Sequence, residues 1–484
     1  MLNHKRTKIV ATISDKNCEP DFIKDLYEAG MDVVRINSAH LEIEGALRII
    51  RNVRKISDKI AILIDTKGPE IRTTDCDEPV NIETGTVIRI AGDPGKKTTS
   101  EIIHVNLRSI TDEVPVGSRV MIDDGEIVFR VIGRDKDKDR NMLICKSENK
   151  GLIGSRKSVN IPGVKIDLPS LTDKDRVFIQ MAAANDIEFI AHSFVRRKQD
   201  ALDVQAEIDK YNSGIKIIAK IENQEGVENI TDILDVVYGI MVARGDLAIE
   251  IPYEKIPPLQ KMIISRCIYC RKPVIVATQM LHSMITNPRP TRAEVSDIAS
   301  AVYSQTDALM LSGETAIGKY PVEAVRTMTR VALEVERNKE KFLETPFINV
   351  TGEVSSYLAK VAVETSLRIG ARGIIADTSG GRTIRDMASY RGFNLILAQC
   401  YTTRAMRELA LSYGVYTSYQ ERRDSIDQFI NIALSNLIGE HDLRGDDKVV
   451  VLAGNFSGGS GFSFIEVGTV EYLNNRIGFL QNMI

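Results

Sequence analysis

Polar residues able to do chemistry gather at the ends of short Val/Ile-rich runs: Arg35 and Asn37, Asp65-Thr66-Lys67, Ser193, Lys220 and Glu222, Arg244-Gly245-Asp246, Thr278-Gln279, and Ser312-Gly313-Glu314. Acids fit for a divalent cation, several cations and a row of hydroxyls together suit an anionic, phosphorylated substrate with a hard metal ion. Any one of them alone could be a helix cap or a surface ion pair. Glu222 and Asp246 end consecutive runs, so their carboxylates can converge on one point. Mg²⁺ takes one or two carboxylates and fills its octahedron with substrate oxygens and water. Lys220 lies two residues before Glu222 and so points to the same side of a strand. A cation beside a metal needs an anion between them, and a phosphoryl group fills that role while Lys220 stabilises its charge in transit. The alternative is an internal Lys–Glu ion pair. In Ala243-Arg244-Gly245-Asp246 the glycine permits close backbone approach, and the loop N–H groups could hold a carboxylate. An ordinary strand-to-helix turn would read the same way.

The positioning runs are Thr7–Ile13, Asp32–Asn37, Ile60–Thr66, Ile187–Phe194, Ile215–Asn223, Val236–Leu247, Pro273–Met280 and Asp307–Ser312. Such runs suit parallel strands buried on both faces, and helical periodicity separates them, as in Phe22-Ile23-Leu26-Tyr27 ahead of Gly30, a C-cap. They count out a (β/α)₈ barrel. An open doubly wound sheet is the alternative; polar residues clustered at the C-terminal strand ends favour the barrel. Between the third and fourth runs the texture changes. Val120-Met121-Ile122 and Ile127–Val131 flank Asp123-Asp124-Gly125, a hairpin signal, and the charge run Arg134–Arg140 reads as a solvated hairpin tip. This is an inserted small β-barrel lid domain. After the helical stretch Val325–Phe342, the linker-like Thr345-Pro346 and Thr351-Gly352 lead into a C-terminal α/β domain. The expected division is barrel 1–69 and 169–344, lid 70–168, and C-terminal effector and oligomerisation domain 345–484. No G-x-x-x-x-G-K-[ST] loop occurs, so a P-loop fold is excluded and a nucleotide must lie between barrel and lid.

Composition narrows the class. At 484 residues the chain is too long for one simple domain. Lys+Arg (63) and Asp+Glu (66) nearly cancel, against any general affinity for nucleic acid or an anionic membrane. No apolar run approaches a membrane span, and the polar N-terminus lacks a signal-peptide core, so a cytoplasmic protein is expected. Six cysteines make no disulfide framework, and the lone Cys267-x-x-Cys270 has no second pair to complete a zinc site.

The chemistry-bearing segments, in this order, closely resemble the pyruvate kinase family along nearly the whole chain. The densest stretches are Asp65–Thr73 (DTKGPEIRT), Ile217–Gly226 (IIAKIENQEG), Met241–Pro252 (MVARGDLAIEIP), Ala277–Met280 (ATQM), Asn287–Glu294 (NPRPTRAE) and Met310–Ala316 (MLSGETA). The resemblance implies transfer of the phosphoryl group of phosphoenolpyruvate to ADP, giving pyruvate and ATP. By resemblance, Glu222 and Asp246 are the ligands of Mg²⁺ or Mn²⁺, and Lys220 and Arg35 contact the phosphoryl group. The loop Ala243, Arg244, Gly245, Asp246 would cradle the substrate carboxylate, and Thr278 would contact substrate near the enolate. Ser312 and Glu314 would end the network that delivers the proton. Asn37, His40, Arg72 and Lys157 would lie near the nucleotide phosphates. K⁺ would sit among Asn37, Asp65, Thr66 and a serine, but that serine position is Ala39 here. Ser38 would point to the opposite face of an extended backbone. Glu70 keeps the acid associated with K⁺ dependence, so K⁺ use is expected through a water or a shifted ligand. His282 stands where a glutamate is common. In the last domain Thr378, Ser379, Gly380, Gly381, Arg382 and Thr383 align with a loop that holds a phosphorylated effector in relatives, under a second loop, Gly454–Gly461. A vestigial flexible loop is the alternative. The resemblance also implies a homotetramer. A metal-dependent aldolase or lyase and a non-catalytic effector sensor are the rival readings, and ADP-dependent turnover separates all three.

Overall fold

The computed structural model describes residues 4–137, 140–338, 348, 353–423, 425–441, 443–454 and 463–475. Eight parallel strands close into a barrel: Lys8–Thr12, Val33–Asn37, Ala61–Asp65, Phe189–His192, Lys216–Ile221, Gly239–Ala243, Val274–Ala277 and Ala308–Leu311. Each lies within one of the runs read from sequence. Both faces of these strands are apolar, because one packs into the barrel interior (Val10, Leu63, Phe189, Ile218, Met241, Ile275) and the other against the helices. The largest difference from the sequence reading is at Val236–Leu247. Its strand stops at Ala243, and residues Arg244–Glu250 form a helix. The apolar run continues past the strand only because Leu247 is buried as a helical side chain. The cap at Gly30 is as expected: it follows the helix Pro20–Glu28 with φ +116°, and an added Cβ would lie 2.4 Å from Thr329 Oγ1.

The insertion folds as a curled six-stranded sheet with a separate two-stranded one. Arg119–Ile122 and Ile127–Asp137 pair as the expected hairpin, Ile122 opposite Ile127. Asp123, Asp124 and Gly125 all have positive φ (58°, 52° and 88°), which the tight turn requires. Val120, Ile122, Phe129, Val131 and Leu143 form a core of its own. The next hairpin runs to Asp137 opposite Arg140 through the charged segment, with residues 138–139 outside the described residues.

The C-terminal unit is a five-stranded mixed sheet. Val415–Tyr419, Leu395–Cys400, Gly373–Thr378 and Lys448–Ala453 are parallel, and Phe464–Thr469 adds an antiparallel edge. Thr345-Pro346 and Thr351-Gly352 lie outside the described residues. Among the described residues no helix is long and apolar enough to cross a membrane, and no group of three or more His, Cys, Asp or Glu side chains could hold a metal. Cys267 is buried in the helix Ile256–Tyr269, with Cys270 just beyond its end.

This domain docks on the barrel floor through a buried ion pair. Arg391 grips Asp307 with both terminal nitrogens at 2.8 and 2.6 Å, and Asp307 also accepts from Tyr413 N and Val274 N. Both side chains are at most 4% exposed. Removing one partner strands a buried charge, so Arg391→Met is expected to cost about 3–5 kcal/mol. Urea unfolding monitored by circular dichroism checks this. Arg391→Met paired with Asp307→Asn should recover part of the loss, and a single variant as stable as the parent would refute it.

Candidate active site

Strand register fixes the geometry at the top of the barrel. Asn37 lies opposite Asp65, and Asp65 opposite Ala191, so the second, third and fourth strands end at one level. There Lys220 reaches three oxygens: Asp65 Oδ1 at 3.0 Å, Glu222 Oε1 at 2.9 Å and Ser193 Oγ at 2.8 Å. An ammonium has three protons, so each is used. Arg35 takes the other side of Asp65, with Nε and Nη2 at 2.7 and 2.6 Å from Oδ2, while its Nη1 donates to Thr12 Oγ1 at 3.0 Å. Two cations and two carboxylates thus form one buried cluster.

Its electrostatics are asymmetric. Burial works against the charge of Asp65, but Arg35 and Lys220 hold its carboxyl below the usual range. Burial also opposes the charge of Lys220, and Asp65 and Glu222 overcome it and keep the ammonium protonated. Glu222 and Asp246 are less well compensated. Burial pushes the Glu222 carboxyl up to about 7; Lys220 opposes the shift and Asp246 adds to it. Burial likewise raises Asp246, with Lys220 opposing and lid Asp124 adding. Two desolvated carboxylates that repel one another are a donor set that a divalent cation would relieve, so these residues fit Mg²⁺ or Mn²⁺. The Glu222 carboxylate is aimed by a second bond, from Phe194 N to Oε2 at 2.7 Å.

On the opposite wall, Thr278 and Gln279 both have left-handed backbone, φ +69° and +55°. For a β-branched threonine this conformation is an outlier of the kind that collects at functional sites. It is held by Thr278 Oγ1, which accepts from Gly245 N at 2.8 Å and donates to Ala277 O at 2.7 Å. Arg244 Nη2 donates to Thr278 O at 2.7 Å, and Nη1 is 2.7 Å from Asp297. The Arg244 side chain therefore braces the wall. Glu314 is buried, accepting from Ser312 N at 2.7 Å and Leu281 N at 3.1 Å, so it shapes the loop around Ser312.

Of the other expected residues, Thr66 joins the Lys220 cluster through Ser193, and none of the rest bonds Lys220 among the described residues. Ser38–His40 is a short 3-10 turn, not extended backbone, and Asn37 Oδ1 accepts from Ala39 N at 3.1 Å. Ser38 is buried with its hydroxyl unpartnered among the described residues, Ala39 is half-buried and His40 is exposed. Thr66 accepts from Ser193 at both its hydroxyl and its carbonyl, at 3.1 and 2.7 Å. Arg72 bonds Glu70 at 2.7 Å, and Lys157 bonds Asp123 at 2.7 Å, both on the lid. In the C-terminal domain Thr378 Oγ1 accepts from Gly381 N at 2.8 Å. Ser379 Oγ accepts from Arg422 at 2.7 Å, and Arg382 bonds Glu353 at 2.8 Å; Arg382 and Thr383 open the helix Arg382–Ser389. Beyond Gly454, the loop read as its cover lies outside the described residues.

Sequence reasoning gave Ser193 no role beyond its place at a strand end, and it passed over Thr12 and the Phe194 N–H. A serine immediately after a buried strand was the only signal for the first, and a main-chain donor leaves none.

Comparison with known proteins gives one consistent result. The family model described as pyruvate kinase, barrel domain matches residues 4–325, and that described as pyruvate kinase, alpha/beta domain matches residues 357–466. A pyruvate kinase of Borreliella burgdorferi is 45% identical over 472 residues, covering 96% of this chain and 98% of that protein. One from Geobacillus stearothermophilus is 40% identical, covering 93% of this chain and 78% of its own length. A crystal structure of a pyruvate kinase from Cryptosporidium parvum superposes with a TM-score of 0.89 at 34% identity, over 96% of each chain.

Proposed function

Since this chain belongs to the pyruvate kinase family, and is a phosphotransferase moving the phosphoryl group between phosphoenolpyruvate and ADP, we propose that the cluster around Lys220 is where it does so. The observation that supports this reading is the three-way bond of Lys220 to Asp65, Glu222 and Ser193 at the barrel mouth. Phosphoryl transfer asks little covalent chemistry of the protein, only in-line positioning and charge neutralisation. Lys220 and Arg35 supply fixed positive charge to the phosphoryl oxygens and then to the enolate oxygen. The backbone from Ala243 to Asp246 receives the substrate carboxylate, and Thr278 orients the enolate. Ser312 and Glu314 belong to the path along which a proton reaches the enolate carbon. A divalent ion held by Glu222 and Asp246 supplies further neutralisation at both stages. Asn37 and His40 on the barrel, with Arg72 and Lys157 on the lid, hold the nucleotide phosphates, and closure of the lid excludes water. This assignment carries with it the division into lid 70–168 and C-terminal domain 345–484.

The family generally uses a divalent metal and often K⁺. We assign K⁺ to Asn37, Asp65 and Thr66, with a water or a shifted ligand where Ala39 offers no oxygen. The loop Thr378–Thr383 is assigned to a phosphorylated effector, the assembly to a homotetramer and the location to the cytoplasm, each from family resemblance. A coupled assay of pyruvate formation from phosphoenolpyruvate and ADP with Mg²⁺, titrating KCl against tetramethylammonium chloride, tests the cation assignment. Turnover should rise with K⁺; equal turnover in both salts would remove the K⁺ site and leave the kinase.

A further inference from the structure

The lid joins the barrel by two chain crossings, one leaving after Asp65 and one returning before the helix Asp173–Ala184. One side chain ties the two together. Asp175, in the first turn of that helix, is fully buried. Its Oδ1 accepts from Lys67 N at 2.9 Å and from Gly68 N at 3.4 Å, both on the outgoing crossing. Its Oδ2 accepts from Thr172 N at 2.9 Å and from Thr172 Oγ1 at 2.7 Å, on the returning one. The bond from Asp175 N back to Thr172 Oγ1 completes a capping box, so the side chain starts a helix and clasps a hinge at once. No salt bridge involves Asp175 among the described residues, so its buried carboxylate is held by hydrogen bonds in this clasp.

The surroundings leave this pivot little freedom. Gly68 has φ +69°, and an added Cβ would lie 2.7 Å from Ser193 Cβ, so the outgoing crossing is pressed against the residue that holds Lys220. His192 adds a contact to the outgoing crossing, its Nδ1 3.2 Å from Thr66 Oγ1. Ser158 Oγ donates to Asp124 at 2.7 Å, and an added Cβ at Gly125 would lie 3.9 Å from Ile249 Cγ2, so this turn of the lid lies against the helix Arg244–Glu250 that carries Asp246. Rotation at the hinge is thus converted into displacement of Arg72 and Lys157 relative to the barrel.

We propose that Asp175 is a positioning residue for the nucleotide: it fixes the angle at which the lid meets the barrel, and it acts through Arg72 and Lys157 and not on phosphoenolpyruvate. This rests on the reading that those lid residues hold the nucleotide phosphates. Misplacement of reacting groups by about 1 Å costs about 100-fold in rate. A loosened clasp that spreads the lid angle is expected to cost about tenfold in affinity for ADP.

The test uses the full chain with Asp175→Asn, which is isosteric, keeps an acceptor for Lys67 N and opens the arm to Thr172. Binding of MgADP and of phosphoenolpyruvate with Mg²⁺ is measured separately by calorimetry, alongside the KM of each. MgADP should weaken about tenfold while phosphoenolpyruvate stays within about twofold. Both substrates weakening in parallel, or neither weakening, would overturn the proposal, since a general loss of structure cannot choose between them. If Asp175→Asn does not fold, Thr172→Ala removes the hydroxyl arm together with the cap on Asp175 N and is judged by the same split. Arg72→Ala is measured beside them. An unchanged ADP KM there overturns the lid reading and the proposal with it. A raised ADP KM there, with Asp175→Asn like the parent, overturns the hinge role only.

Discussion

Lys220→Met is expected to lower kcat by about 10³-fold or more while the chain stays folded. Methionine matches the length of the lysine stem and removes only its charge and its three donors. The loss has two parts. The phosphoryl group and the enolate forfeit a cation fixed in a buried setting, where one well-placed donor is worth about 10²–10³-fold. In addition, Glu222 and Ser193 lose the group that orients them at 2.9 and 2.8 Å. Asp65 keeps Arg35 at 2.7 Å, so the barrel mouth retains one intact ion pair and collapse is not expected. Coupled assays at saturating substrates, with circular dichroism as the check on folding, measure this. A folded Lys220→Met variant with more than a tenth of the parent kcat would sink the assignment of Lys220. It would leave the ion pair with Glu222 as a structural feature of the barrel.

Strand ends were readable from sequence for a physical reason. Parallel strands buried on both faces must be apolar throughout, so Arg35, Asp65, Lys220 and Asp246 stand out where such runs stop. The inserted sheet was readable because alternation replaces continuous apolarity near Val120 and Ile127. What could not be read is which group bonds to which. Ser193 and Asp65 are 128 residues apart and Asp175 and Lys67 108 apart, so only the closed fold brings them together. Nor does sequence say that Arg244, in the loop proposed for the substrate carboxylate, turns its guanidinium to Asp297 and Thr278 O. Local conformation was equally hidden. The reading of Ser38 assumed extended backbone, whereas Asn37 caps a 3-10 turn, and no pattern announces a left-handed Thr278.

Glu222→Gln should separate metal binding from the rest of the cluster. Glutamine keeps the shape of glutamate, and its Oε1 still accepts from Phe194 N, a bond of 2.7 Å in the parent. It offers no anionic oxygen, and its amide N–H₂ would meet the Lys220 ammonium donor to donor. Lys220 is then held by Asp65 and Ser193 alone, at 3.0 and 2.8 Å. Burial is the main cause that raises Glu222, with Asp246 adding to it, and the variant removes that added repulsion without any metal. Divalent affinity is therefore expected to fall by at least about 100-fold, beyond what loss of an outer hydrogen bond costs a metal site. At fixed Mg²⁺, kcat should fall by about 10³-fold, as for loss of a transition-state charge contact. Mn²⁺ titration by calorimetry in the presence of phosphoenolpyruvate reads the first effect, and turnover against Mg²⁺ concentration reads the second. Alanine would be a poorer probe, because it opens a cavity and leaves the Phe194 N–H unpaired, so a loss of activity could reflect a moved strand. If Glu222→Gln bound Mn²⁺ as the parent does, the metal would have to be held elsewhere. Glu222 would then serve only as the counter-charge that keeps Lys220 protonated in a buried site.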